Sequence, residues 1–533
     1  MNKKSLTLLI SFLCLTSCGH ENLVFSPYLF NDEFTNPKEN INNEFYHQSD
    51  SYGTLDYIDN DGNTKTINEF KDLYSSSNIS QTFRNAPSLG EVNALIIPVN
   101  FLDSDTSKNS EQLEIIKSGF FGDESCNEFE SLSSYYYKSS YGQLKIKGHI
   151  SDFYNFEMNT NELVDKHSTS VGISRRVAIS ALKWFYENNK DFDFSKYDLD
   201  SDGYLDALYI LYNFPYNDDL SKDYGTFWAY VDHSYRGERV DETISNDQEY
   251  AISSYAWLSI DFFGDKVKPE SRTAIHESGH IFGLSDYYNT SSSGIYQPTG
   301  FADMMDANIG DHSAYSKMLL NWTTPIVIDN ECEITIEPFN SSGDVILIPS
   351  KKGWNNTPYD EYLLLEFYTP SGLNEHDAGA KYIYYLNGNK EKFVYFSVPG
   401  LKVYHVDSRL GYFSFKNTNS LICTFDDPNC LAKINEYKTN NTRPYCIDFA
   451  FNNDIFRNKE EQTPALLKLL ESSGENSFKY GKASSNDTLF KKGDSFGLDT
   501  FTTFSFDNGS TPMFDFEIIE LNNDLIKIKF LKN

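Results

Sequence analysis

The chain has 533 residues, 16% of them aromatic, with 77 acidic against 45 basic side chains and a formal net charge of -32. That length calls for two to four domains, and the aromatic content supplies large side chains for their cores. The charge argues against a nucleic-acid partner, because phosphate binding needs a basic patch and the sequence displays none; such acidity suits an extracellular surface and calcium sites.

The chain begins MNKKSLTLLISFLCLTSC, with Lys3 and Lys4 ahead of an apolar run from Leu6 to Leu15. The run is too short to span a bilayer and no stop-transfer pattern follows, so it reads as a targeting segment. Leu15-Thr16-Ser17-Cys18 resembles the bacterial lipoprotein signal, which implies cleavage before Cys18 and lipidation of that cysteine. An ordinary secretory leader is the other reading, and both put the mature chain outside the cytoplasm. The expected location is the extracellular face of a bacterial membrane, with anchorage by acyl chains. The remaining cysteines, Cys126, Cys332, Cys423, Cys430 and Cys446, match no zinc-knuckle spacing. Their odd number allows at most two disulfides, and Cys423, Cys430 and Cys446 are close enough for one pair among them.

Residues 19–89 are rich in Asn, Ser and Asp and read as a tether with room for a pro-segment. Ala94 to Phe101 (ALIIPVNF) is a buried-strand signal that opens a domain expected over 90–325. Leu132 to Tyr141 reads as helix and Gln143 to Ile150 as an alternating strand. Val177, Ala178, Ala181, Leu182 and Phe185 recur at helical spacing in Gly172 to Asn188. The expected class is α+β, with a mixed sheet.

Asp198-Leu199-Asp200-Ser201-Asp202-Gly203-Tyr204-Leu205-Asp206 sets Asp198, Asp200, Asp202 and Asp206 at the spacing of the first part of an EF-hand-type loop. Gly203 stands at the turn and Tyr204 would contribute its backbone carbonyl. The twelfth position is Tyr209 rather than Glu, so calcium here would brace the entry to the strand Tyr209 to Tyr212 instead of filling a complete EF-hand. A solvated Asp-rich turn is the alternative. Tyr250 to Ile260 reads as a further strand, and Pro269 is expected at the first turn of the next helix.

That helix carries Thr273 to Tyr288, TAIHESGHIFGLSDYY. His276 and His280, four residues apart, share a helix face, with Glu277 beside them. A catalytic zinc takes three protein ligands and a water whose pKa it lowers toward neutrality, within reach of a neighbouring carboxylate base. Gly283 can end the helix in a left-handed conformation and return Asp286 as third ligand. No glutamate occurs between His280 and Glu331, which disfavours a downstream glutamate ligand, and His312 is the next candidate.

Beyond Asp286 come a Ser-rich loop, the segment FADMMD (Phe301 to Asp306) and a helix expected over Asp311 to Trp322. From 326 onward, short runs such as Val345 to Ile348, Tyr362 to Glu366, Leu401 to Val406 and Leu525 to Phe530 predict a β-rich, sandwich-like region with room for two subdomains. Glu366, His405 and Asp407 are expected to hydrogen-bond within it.

His276 to Asp286 together with Met305 in FADMMD resembles the metzincin-like zinc peptidases of the immune inhibitor A family. LSSYYYKSSYGQLKIKG, YDLDSDGYLD, HSAYSKMLLNW and GLKVYHVD agree, so the likeness covers roughly 90–410. It implies an endopeptidase acting on protein or peptide substrates, with His276, His280 and Asp286 on zinc, Glu277 as general base, Met305 in a turn beneath the metal, and structural calcium. Ser285 stands where proline is frequent in that family and Tyr315 where tryptophan is. The competing reading is a calcium-stabilised surface adhesin on a peptidase-like scaffold; Glu277 argues against it, since a purely structural zinc site needs no base. Neither reading fixes an oligomeric state.

Overall fold

The computed structural model describes residues 55–58, 64–67 and 86–533, the last without 124–126, 167–169, 200, 202, 217–226, 234–251, 253, 265–267, 290–294, 355–358, 387–388, 415–416, 425–426, 428, 439–443 and 453–463. The leader with Cys18, most of the expected tether, Asp200, Asp202 and Cys126 lie outside the described residues. From residue 86 on, the chain forms two compact units that divide between Gly283 and Leu284, ahead of the change of pattern at 326. No helix among the described residues is long and apolar enough to cross a membrane.

The first unit is built on a mixed sheet in the order Leu144–Ile150, Gly90–Asn100, Ala207–Tyr212, Ser254–Ser259, Tyr230–His233. The first four are parallel neighbours, and Tyr230–His233 closes one edge antiparallel. Parallel strands are covered on both faces, which is why Ala207–Tyr212 and Ser254–Ser259 are buried along their whole length. Alternation then sorts the side chains. Leu208, Ile210 and Tyr212 join Leu95, Ile97 and Val99 in a core with Val177, Leu182 and Phe185 of the helix Ser170–Asn188. Tyr209 points to the other face, toward the helix Arg272–Ile281. Each fully buried aliphatic side chain in this core contributes about 1.5–3 kcal/mol.

The second unit is β-rich. A five-stranded sheet (Leu467–Leu470, Gly400–Asp407, Glu361–Tyr368, Val345–Pro349, Ile326–Val327) and a four-stranded one (Cys332–Ile336, Ile526–Lys532, Phe514–Leu521, Ser495–Phe496) share one core. Ile346, Leu363 and Val403 of the first pack with Ile334, Phe516 and Ile528 of the second, as in a sandwich. Two smaller sheets are added: the hairpin Lys381–Leu386 with Asn389–Val394, and a three-stranded sheet with the helix Cys430–Lys438. A Cys423–Cys430 disulfide joins that helix to its sheet, and Cys332 is a buried thiol.

The elements follow the sequence reading with shifted ends. Pro269 lies outside the helix it was expected to begin, since the cap is Ser271 and the first helical residue Arg272. Its carbonyl accepts a hydrogen bond from the Glu128 N–H instead. The helix expected over Asp311 to Trp322 is confined to Ala314–Leu319, because the Asp311 carboxylate accepts the N–H of the next residue, His312, and the Ser313 N–H donates to the Asp303 carboxylate, so both backbone donors are spent outside a helical ladder.

Candidate metal centre

The helix Arg272–Ile281 is tied down at both ends and along its buried face. Ser271 Oγ donates to the Gly119 carbonyl at 2.9 Å, and the Arg272 guanidinium lies 3.8 Å over the Phe129 ring. Tyr136 donates its hydroxyl to the Ile275 carbonyl at 2.7 Å. Ser278 Oγ donates to the Ala274 carbonyl at 2.6 Å, so the hydroxyl proton of the 2.7 Å Tyr209–Ser278 contact is Tyr209's. Burial first, and then the charges nearby, among them Glu277, hold the Tyr136 hydroxyl far above its ordinary range, so it stays a donor.

With that face fixed, His276 and His280 stand four residues apart with ring centroids 5.0 Å apart and planes at 83°. His276 and Glu277 are buried, His280 half-buried. The helix ends as Phe282 N–H binds the Ser278 carbonyl and Gly283 N–H the His280 carbonyl, with Gly283 at φ 95°. That left-handed residue, where a side chain would be strained, turns the chain back. The ligand atoms of His276, His280 and Asp286 then all lie within 4.8 Å of one another. The residue after Asp286 is held firmly: Tyr287 N–H donates to the Met305 carbonyl at 2.8 Å, and Asn452 Nδ2 donates to the Tyr287 carbonyl at 2.8 Å. Met305 is fully buried in a turn capped by Asp303, whose carboxylate accepts from Met305 N–H at 2.7 Å.

Two imidazoles and one carboxylate are a donor set that zinc accepts, and the three residues fit that ion. His312 and Glu331 do not join them. His312 is buried beside Trp322, and Glu331 is exposed and accepts the Lys532 N–H at 3.0 Å.

At the Asp-rich loop, Asp198 Oδ2 accepts the Gly203 N–H at 3.0 Å and Asp206 Oδ2 the Leu199 N–H at 2.9 Å. Ser201 and Gly203 adopt φ of 60° and 87°, and Tyr204 is half-buried between them and the strand. The loop is therefore closed by carboxylate-to-backbone bonds, the arrangement an Asx turn and a calcium loop have in common.

One other metal-sized group occurs among the described residues: Glu361, His405 and Asp507. Its acceptors are already engaged by protein groups. Glu361 accepts from the backbone N–H of Asp507 at 2.6 Å and of Asn508 at 2.9 Å and lies 2.6 Å from His405 Nε2, while Lys468 pairs with Asp507 at 2.5 Å. Burial disfavours charge on either partner of the His405–Glu361 pair, lowering His405 to about 3 and raising Glu361 to about 7. The neighbours behave as expected from sequence: Glu366 pairs with Lys402 at 3.1 Å and Asp407 with Arg409 at 2.7 Å. Sequence reading missed Glu361, whose place opposite Asp407 on the next strand is set by register alone. It also missed the fully buried Lys317–Asp311 pair at 2.6 Å, which the six-residue spacing does not signal.

No known protein-family profile matches the chain, and no characterised protein matches it in sequence.

Proposed function

We propose that this chain is an extracellular, membrane-anchored zinc endopeptidase that hydrolyses peptide bonds of proteins. The observation that carries the reading is the convergence of His276, His280 and Asp286 with Glu277 built into the same helix. When bound there, zinc supplies Lewis acidity and an acidified water. The chain's own residues do the rest. His276 and His280 would hold the ion through ring nitrogens and Asp286 through a carboxylate oxygen, and Glu277 takes a proton from the attacking water and returns it to the leaving amine nitrogen. The buried position of Glu277 limits competing solvent. Calcium at Asp198, Asp200, Asp202, Tyr204 and Asp206 braces the strand that carries Tyr209, and acylation of Cys18 anchors the protein. The resemblance to the immune inhibitor A peptidases supports the same assignment.

The test is digestion of casein by the N-terminally processed protein. A zinc chelator abolishes cleavage, and added zinc, not calcium alone, restores it. Undiminished hydrolysis by metal-free protein, or none in any processing state, overturns the proposal.

A further inference from the structure

The hairpin Lys381–Leu386 with Asn389–Val394 has two unlike faces. Its register pairs Lys381 with Val394, Tyr382 with Phe393, Ile383 with Lys392 and Tyr384 with Glu391. Because side chains alternate, Tyr382, Tyr384 and Phe393 share one face, and they pack on the body of the second unit. Phe301 lies 5.1 Å from the Tyr384 ring and 5.8 Å from that of Phe393, and the Tyr382 hydroxyl donates to Asp377. The opposite face presents Lys381, Ile383, Lys390, Lys392 and Val394, all exposed, with Ile383 at 50% and Val394 at 44%. The one acid of the hairpin strands, Glu391, belongs to the other face, where its charge helps raise the Tyr384 hydroxyl after burial.

On the packed face, Tyr384 also hydrogen-bonds the backbone of Ala483. Among the described residues Lys381, Lys390 and Lys392 make no ion pair. In a chain of net charge -32, three lysines that share one strand face with exposed aliphatic side chains and no acid are a local reversal of sign.

We propose that this face docks on an anionic phospholipid surface. Lysines placed within a Debye length of anionic headgroups attract them, long lysine stems suit the headgroup boundary, and Ile383 and Val394 add apolar contact there. A long nucleic acid would meet the surrounding acidic surface as well and is disfavoured by it. The inference does not depend on the peptidase reading. It gives an anchored chain a fixed orientation on its membrane, by pairing a lipid chain with a basic patch.

The experiment is co-sedimentation of the full chain with phosphatidylcholine vesicles, with and without phosphatidylglycerol. The wild type prefers the anionic vesicles at least roughly tenfold at low salt, and the preference vanishes at high salt. Lys381→Glu/Lys390→Glu/Lys392→Glu loses it, whereas Lys108→Glu/Lys183→Glu/Lys190→Glu, with the same change of net charge on exposed lysines elsewhere, keeps it. Equal loss in both triple variants, no preference in the wild type, or binding only to a soluble polyanion such as heparin overturns the proposal. Circular dichroism of each variant shows whether the fold is retained. Should the triple variant unfold, Ile383→Ser/Val394→Ser supplies the same comparison, with weakened vesicle binding expected and unchanged binding contradicting it.

Discussion

Tyr209 of a central strand donates a 2.7 Å hydrogen bond to Ser278, two residues before His280 on the motif helix. Both side chains are fully buried, so this bond fixes the rotation of the helix on the sheet without solvent competition. Tyr209→Phe removes a donor and leaves Ser278 its bond to Ala274, a loss of about 1 kcal/mol. Ser278→Ala strands the tyrosine hydroxyl, a loss of about 1–3 kcal/mol. Urea unfolding of both variants and the double variant gives the coupling; additive effects contradict a direct bond.

Gly283 sits at φ 95° between His280 and Asp286. Gly283→Ala places a side chain in the left-handed region, at about 1–2 kcal/mol. Because strain there moves the ligand that follows, zinc affinity falls along with stability. A competition titration with a chromogenic chelator reads it, and unchanged affinity dissociates the turn from the site.

Asp286→Ala leaves two histidines and no third donor. Zinc content measured by atomic absorption drops well below one per chain while the fold is retained. Full zinc content in this variant places the third ligand elsewhere.

Asp303 is fully buried, and burial, the largest influence, raises its carboxyl to about 6 from 3.8. The native state therefore holds the proton more tightly than the unfolded chain. The resulting stability is fully present below 3.8 and is lost as pH rises through about 6, up to about 3 kcal/mol. Asp303→Asn retains an oxygen for the Met305 N–H and removes the titration. Urea midpoints between pH 5 and 7.5 fall less for the variant than for the wild type; parallel curves refute the assignment.

The motif was legible because it is local: the helix period alone brings His276 to His280, and one glycine turn brings Asp286. The parallel strands were legible because burial on both faces leaves unbroken apolar runs such as Ala94 to Val99. What stayed hidden depends on partners far apart in sequence. Nothing near Tyr209 announces Ser278, and nothing near His405 announces Glu361. The lysines at 381, 390 and 392 look scattered until pairing puts them on one face. That is why the sequence displays no basic patch and the fold does. The leader, Asp200 and Asp202 belong to residues outside those described.

The most direct measurement compares the wild type with Glu277→Ala, processed alike, for zinc content and casein hydrolysis in the same preparations. The account predicts full zinc in both and hydrolysis in the wild type alone. Persistent hydrolysis by the pure, zinc-loaded variant would contradict Glu277 as the base and, with it, the peptidase mechanism drawn from this site.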